Sequence, residues 1–268
     1  MEELESGVTL LAVGDDSLLN VVSFGSRLLT HPPVVVNVPT TLWAMAEYGV
    51  KYKAFLSWNK QPSVISMAAW PQMALLDLHS LQNTDSNELF LLHANIVRNL
   101  LFASMDRFTK YEESWQKIKF EDEDSLIDIL EQNAKTRIAI LKQGSNAQYL
   151  LQDFGLRAVN TLKSDSKHNL KKRDIASMIF LELRWRLKLA SHLKIDKSES
   201  FSRVLFLIEK ILAKYQVKQD EWDMARDMFL QCFSPTMLNN LYLPSSIGKM
   251  QKIKIIERAA GEQCLVDC

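Results

Sequence analysis

This sequence has few residues that break or cross-link a chain. It carries only eight glycines and seven prolines in 268 residues, and a scarcity of breakers beside abundant Leu, Lys and Glu argues for helix. Its three cysteines, Cys232, Cys264 and Cys268, cannot build a disulfide framework. There is also no Asn-x-Ser/Thr sequon, so a reducing interior, cytoplasm or nucleus, is expected. No run of 18 apolar residues exists, which excludes a transmembrane helix. The opening MEELESGVTLLAV is acidic, the wrong charge for a secretory signal or transit peptide. The ending CLVDC misses the spacing for prenylation. Catalytic signatures are missing too: there is no G-x-S-x-G, C-x-x-C, HExxH or P-loop. No cofactor and no metal site is expected.

The composition is 47% apolar and 24% charged, that of an ordinary globular chain with enough length for a substantial core. Net charge is zero, but unevenly spread. Residues 1–131 hold nine Lys/Arg against eighteen Asp/Glu, and the remainder holds 23 against 14. The excess of cations concentrates in 132–200, with fourteen cations against six anions. The reversal suggests an acidic half, 1–125, and a basic half, 126–268, within two domains or one continuous helical one. Such asymmetry points to an anionic partner.

The most distinctive stretch is 171–193, KKRDIASMIFLELRWRLKLASHL. Every odd position from Ile179 to Leu189 is apolar, the period of a half-buried strand. The residue types nevertheless favour helix, with almost no β-branching. On a helical wheel Leu181, Trp185, Leu189 and His192 share one side, and Phe180, Leu183 and Leu187 a second. Glu182 can pair with Arg186 at i,i+4. The reading is a helix clamped between two partners. Trp185 between Arg184 and Arg186 could stack a base, but its wheel position with Leu181 and Leu189 makes it a core residue.

Along the chain, 8–13 and 34–38 read as short strands. Asp15 or Asp16 caps a helix between them, and Thr40 or Thr41 starts another. Residues 62–81 read as a helix kinked at Pro71. Ser86 caps a long helix from Glu88 to Phe108, and a shorter charged one follows to Phe120. Helices are also expected at 124–142, closed by Gly144, at 146–162, 201–215 and 219–233, and in the tail at 249–260. The whole is a mainly α protein, a multi-helix bundle of about ten helices with two short extended segments near the N-terminus.

Candidate chemistry is sparse. Gly14-Asp15-Asp16-Ser17 lies between a strand and a helix, where phosphate or metal sites form, but one glycine beside two acids reads better as a cap. Asp77 and His79 would point apart on a helix. Cys264 and Cys268 lack a second pair to complete a zinc site. The basic cluster carries more. Lys163, Lys167, Lys171, Lys172 and Arg173 crowd a linker and helix start, where cations oppose the helix dipole, so an anion-binding surface is expected there, helped by Arg184, Arg186 and Lys188. Glu121, Asp122, Glu123 and Asp124 would form an acidic face for self-association.

The function expected from these features is that of a non-catalytic structural or scaffold protein. It would form a head-to-tail homo-oligomer through its oppositely charged halves and engage RNA or an acidic lipid surface. The layout is similar, in size and charge distribution only, to the helical matrix proteins of negative-strand RNA viruses. The alternatives are a helical adaptor subunit of a nuclear or cytosolic protein complex, and an enzyme with an unmarked site.

Overall fold

The computed structural model describes residues 7–58, 61–81, 84–144, 151, 154–164, 170–195, 200–232, 241–253 and 264. Its first layer is α/β. Strand β1 (Thr9–Gly14) leads through helix α1 (Asp16–Ser26) to β2 (Val34–Pro39), and the two strands pair in parallel from Thr9↔Val34 to Gly14↔Pro39. Helix α2 (Leu42–Tyr48) follows. The strand β5 (Met73–Ala74) then adds in parallel to the far side of β2, giving the order β1-β2-β5. The expectation of a helical bundle is therefore corrected: two short strands separated by a helix form a βαβ crossover, the unit of a parallel sheet. Local caps fix the two helices as the sequence suggests. Asp15 accepts from the Leu18 N–H at 3.0 Å, and Thr41 Oγ1 accepts from the Ala44 N–H at 3.1 Å.

A hairpin of β3 (Lys53–Trp58) and β4 (Gln61–Ala68) stands beside this sheet. The kinked helix expected over 62–81 is not there. Residues Ile65 to Ala68 pair across to Lys53–Leu56 of β3, whose position is fixed by Asn20: its Nδ2 donates to Phe55 O at 2.6 Å, and its Oδ1 accepts from Phe55 N at 3.0 Å. Long-range pairing outweighs the helical spacing here.

The second layer is helical. Helix α3 (Ser86–Leu100) starts at Asp85, which accepts from the Asn87 and Glu88 N–H groups. It ends earlier than expected, because the chain tightens at Phe102 and Ala103 before α4 (Met105–Ser114). Helix α5 (Glu123–Leu141) follows, and then α6 (Arg157–Ser164), α7 (Lys172–His192), α8 (Ser200–Lys214) and α9 (Gln219–Gln231). Residues 146–150, 152 and 153 of the helix expected over 146–162 lie outside the described residues, and the described helix begins at Arg157. The tail forms a second hairpin, β6 (Leu241–Ser246) with β7 (Lys249–Ile253), where a helix was expected; residues 254–260 of that expectation lie outside the described residues. The Gly248 N–H donates to Leu101 O at 2.9 Å, so the hairpin is tied to the α3–α4 break.

Helix α7 is the stretch on which the sequence reading centred, and it lies at the middle of the core. Phe180, Leu181, Leu183, Trp185, Leu187 and Leu189 are all fully buried. The apparent period of two arises because α3, α9 and β6 surround the helix, so both of its apolar sides are covered. The main core draws side chains from residues 42 to 264, on both sides of the charge reversal.

Near the end of this core His93 is fully buried. Its Nδ1 lies 2.6 Å from the Tyr111 hydroxyl, and its ring stands edge-on to Trp115. Burial, with a smaller contribution from the charge of Lys214, lowers its pKa to about 3 from 6.5. The unfolded chain therefore takes up this proton first as pH falls, so His93 opposes folding below pH 6.5. Unfolding free energy should drop by roughly 1.4 kcal/mol per pH unit from this group between those values. Urea titrations of His93→Gln and the parent across pH 4–7 should show a shallower slope in the variant.

Candidate functional site

Two polar groups meet where the α/β layer touches the helices. The first is a buried ion network. Glu47 sits at the end of α2, and Arg98 on α3 and Arg137 on α5 converge on its Oε1. The Arg137 contact measures 2.7 Å. Arg98 also donates to Leu151 O at 3.1 Å, and Arg137 Nε to Val50 O at 3.3 Å. Three amides fill in the surroundings: Asn99 Nδ2 donates to Asn95 Oδ1 and Asn133 Oδ1, both at 2.8 Å, and Asn133 Nδ2 donates to Ala46 O at 2.9 Å. Burial alone would raise the Glu47 pKa, but Arg137, Arg98 and Lys51 outweigh it and hold the carboxyl below its usual range. Burial pulls Arg98 down to about 10 against the opposing field of Glu47, so both partners remain charged at neutral pH. Gly155 packs against this network. Its φ is +73°, and a Cβ there would lie 2.9 Å from Arg98 Cδ, so glycine serves both the backbone conformation and the close approach.

The second group lies at the C-terminal edge of the parallel sheet, the side on which open α/β sheets bind ligands. Asp15 and Asp16 follow β1, and Tyr48 and Lys51 follow from β2 through α2. The Lys51 Nζ stands 3.6 Å above the Tyr48 ring centroid. Lys163, from α6, reaches to 4.0 Å from Asp16. Burial lowers the Lys51 pKa to about 7; Glu47 and Asp16 resist this, while Arg137 and Lys163 add to it. Tyr48 is pushed well above its ordinary value by burial and then by Asp16 and Glu47. The Lys51 amine is thereby held near half-protonation at neutral pH.

The sequence-predicted cations are distributed differently. Lys163 belongs to the sheet-edge group, and Lys167 lies outside the described residues. Lys171 is exposed just before α7. Lys172 pairs with the buried Glu88. Arg173 binds Glu221 at 2.9 Å and the Tyr215 and Gln216 carbonyls. Arg184 binds Glu209 at 2.8 Å and lies over the Trp222 ring. Arg186 is fully buried against Glu182, at 2.9 and 2.5 Å, and donates to Tyr242 O at 2.8 Å. Lys188 is half-buried on α7. Among the described residues, then, Lys172, Arg173, Arg184 and Arg186 have internal acidic partners. Glu121, Asp122, Glu123 and Asp124 are exposed and are not among those partners. Asp122 instead caps α5, accepting from Ser125 N at 3.1 Å. Asp77 and His79 do meet, 3.2 Å apart: Asp77 caps a single exposed 3-10 turn, Leu78–Ser80, that carries His79, in place of the α-helix on which they would point apart. Trp185 is a core residue, as its wheel position suggests, with its ring and that of Phe229 in an edge-type contact, centroids 5.5 Å apart. Cys264 is buried, and Cys268 lies outside the described residues.

The residues of the ion network do not stand out as a motif. Their one sequence signal is Asn95, Arg98 and Asn99 at i, i+3 and i+4, a polar stripe on the otherwise apolar LFLLHANIVRNLL.

No family model matches this chain. It is similar to a 3-dehydroquinate synthase of Saccharolobus solfataricus, 20% identical over 98% of this chain and 77% of that protein. In three dimensions it is similar to ValA, a 2-epi-5-epi-valiolone synthase from Streptomyces hygroscopicus subsp. jinggangensis. That match has a TM-score of 0.72 at 18% identity and covers 96% of this chain and 72% of that one. A 2-deoxy-scyllo-inosose synthase structure matches at 0.73 and 14% identity, over 96% and 74%. The fold is thus like that of these two synthases, an α/β fold with a parallel sheet. These likenesses overturn the expectation of a non-catalytic scaffold with matrix-like, RNA-binding character, and the adaptor alternative with it: the three proteins are synthases. No described helix is long and apolar enough to cross a membrane.

The two solved cyclases carry NAD+ with Zn2+ or Co2+. The described residues bring together no metal-ligand set, and the β1–α1 turn does not suit a dinucleotide. No three His, Cys, Asp or Glu side chains come together. At the β1–α1 turn, Asp15 and Asp16 would set carboxylates against a dinucleotide's pyrophosphate, and the Asp15 side chain already holds the Leu18 N–H. Gly14 there is closed off by Leu18, whose side chain would lie 3.1–3.3 Å from a Cβ.

Proposed function

We propose that this chain is an enzyme of the sugar phosphate cyclase class, acting inside the cell on a phosphorylated, polyhydroxylated linear substrate. The observation that carries this reading is the likeness in fold to two cyclases along 96% of the chain. Closing a carbon ring requires one proton to be taken and another to be delivered. Lys51, with a pKa of about 7, can do both near neutral pH, and Lys163 beside it supplies a fixed positive charge for a phosphate. Burial, with Arg137 and Lys163 adding to it, disfavours the charged form of Lys51 and keeps its amine available. A nuclear location has no support in the fold or the relatives.

The test is to incubate the protein with glucose 6-phosphate and with a seven-carbon keto-acid sugar phosphate, with NAD+ and Zn2+ supplied and withheld. Released phosphate and carbocyclic product are then followed by NMR. Product is expected from at least one substrate, and Lys51→Met should slow its formation by about 10²–10⁴-fold. Absence of phosphate release and of ring product under every condition would overturn the reading.

A further inference from the structure

The buried ion network bears directly on the mismatch with the metal-bearing cyclases. We infer that the guanidinium groups of Arg98 and Arg137 neutralise the Glu47 carboxylate internally, so that the described buried core of this chain neither binds nor needs Zn2+ or Co2+. This deepens the cyclase reading and rests on it for the comparison with proteins that hold such ions.

A structural or catalytic divalent site needs three or more donors such as carboxylate, imidazole or thiolate. Among the described residues no three such donors come together, and each buried carboxylate has one oxygen in an ion pair, while Glu88 Oε2, Glu182 Oε2 and His93 Nε2 carry no hydrogen bond. Glu47 has two guanidiniums on a single oxygen. Glu88 is paired with Lys172. Glu182 Oε1 takes Arg186 and also the Gly155 N–H at 3.1 Å. His93 faces Tyr111, Trp115 and Tyr215. The side chains next to Glu47 are amides, Asn95, Asn99 and Asn133, which bond to one another and to the backbone. Charge points the same way. Arg98 and Arg137 share the single Glu47 carboxylate, so two fixed cations face one anion there. A dication entering there would be repelled, and it would have to displace a guanidinium whose other donors are held by the Leu151 and Val50 carbonyls. A net positive core suits an anionic, phosphorylated ligand and disfavours a cation.

The experiment is metal analysis of the purified full chain. The protein is dialysed against EDTA, titrated calorimetrically with ZnCl2 and CoCl2, and analysed for bound metal by plasma mass spectrometry. Thermal melts are run with EDTA and with each ion. The expected result is well below one ion per chain, and melting temperatures that agree within about 1 °C, because an ion that binds the native state would raise the melting point. One Zn2+ or Co2+ per chain bound with a dissociation constant below about 1 µM, with a raised melting temperature, would overturn the inference. The cyclase reading is separable from it. Ring product that forms only with added Zn2+ would sink the inference and leave the reading intact. No product under any condition, with no metal bound, would sink the reading and leave the inference standing.

Discussion

Glu47→Gln is expected to lower the unfolding free energy by about 3–5 kcal/mol, the cost of leaving buried charges uncompensated when one partner is removed. The substitution keeps the shape of the side chain and removes its charge. Arg98 and Arg137, 1% and 3% exposed, would then face each other across a neutral amide. The size of the effect lies in the stranded cations more than in the lost bonds, which makes the combination with Arg98→Met informative: the double variant should be destabilised by clearly less than the sum of the two singles. Lys135–Glu131 is the internal comparison. Its atoms lie 2.6 Å apart, but its side chains are 61% and 57% exposed, so breaking it should cost only about 0.3–0.5 kcal/mol. Urea unfolding followed by circular dichroism measures all four. A Glu47→Gln loss as small as that of the surface pair would mean that the network is open to solvent.

Trp185→Ala should cost a similar amount, about 3–5 kcal/mol, for a different reason. The side chain is completely buried in α7, and truncation leaves a cavity beside Phe229 that the surrounding helices can only partly fill. The Arg186 guanidinium lies 4.6 Å from the Phe154 ring and 5.9 Å from that of Trp185, so the loss also loosens the Glu182–Arg186 pair. Trp185→Phe should recover more than half of the stability by refilling most of the volume. A near-neutral Trp185→Ala would contradict the central placement of α7.

Much of the local structure was legible in the sequence. The caps at Asp15 and Thr41, the strands around Leu11 and Val36, and the helices α5, α7, α8 and α9 follow from periodicity and cap residues within a few positions. What was missed depends on contacts between distant residues. Residues 61–68 become a strand because β3 offers a partner, and 249–253 do so because β6 does. The parallel sheet was hidden in plain view: two apolar runs flanking a helix are a crossover, but two strands alone do not announce a third. The site is harder still to read. Glu47 meets residues 51 and 90 positions away, and no spacing rule reaches that far. The basic run at 171–173 looked unpartnered because its acids, Glu88 and Glu221, lie far off in sequence. A cation set against the local helix dipole signals a partner, and here the partners of Lys172 and Arg173 are within the fold.

The most direct measurement is a crystal structure of the protein grown or soaked with ZnCl2, with diffraction recorded on both sides of the zinc absorption edge. The account predicts a β1-β2-β5 parallel sheet, with Arg98 and Arg137 both on Glu47 and no anomalous peak among Glu47, Asn95 and Gly155. An anomalous peak bonded to Glu47, with either arginine swung away, would contradict it.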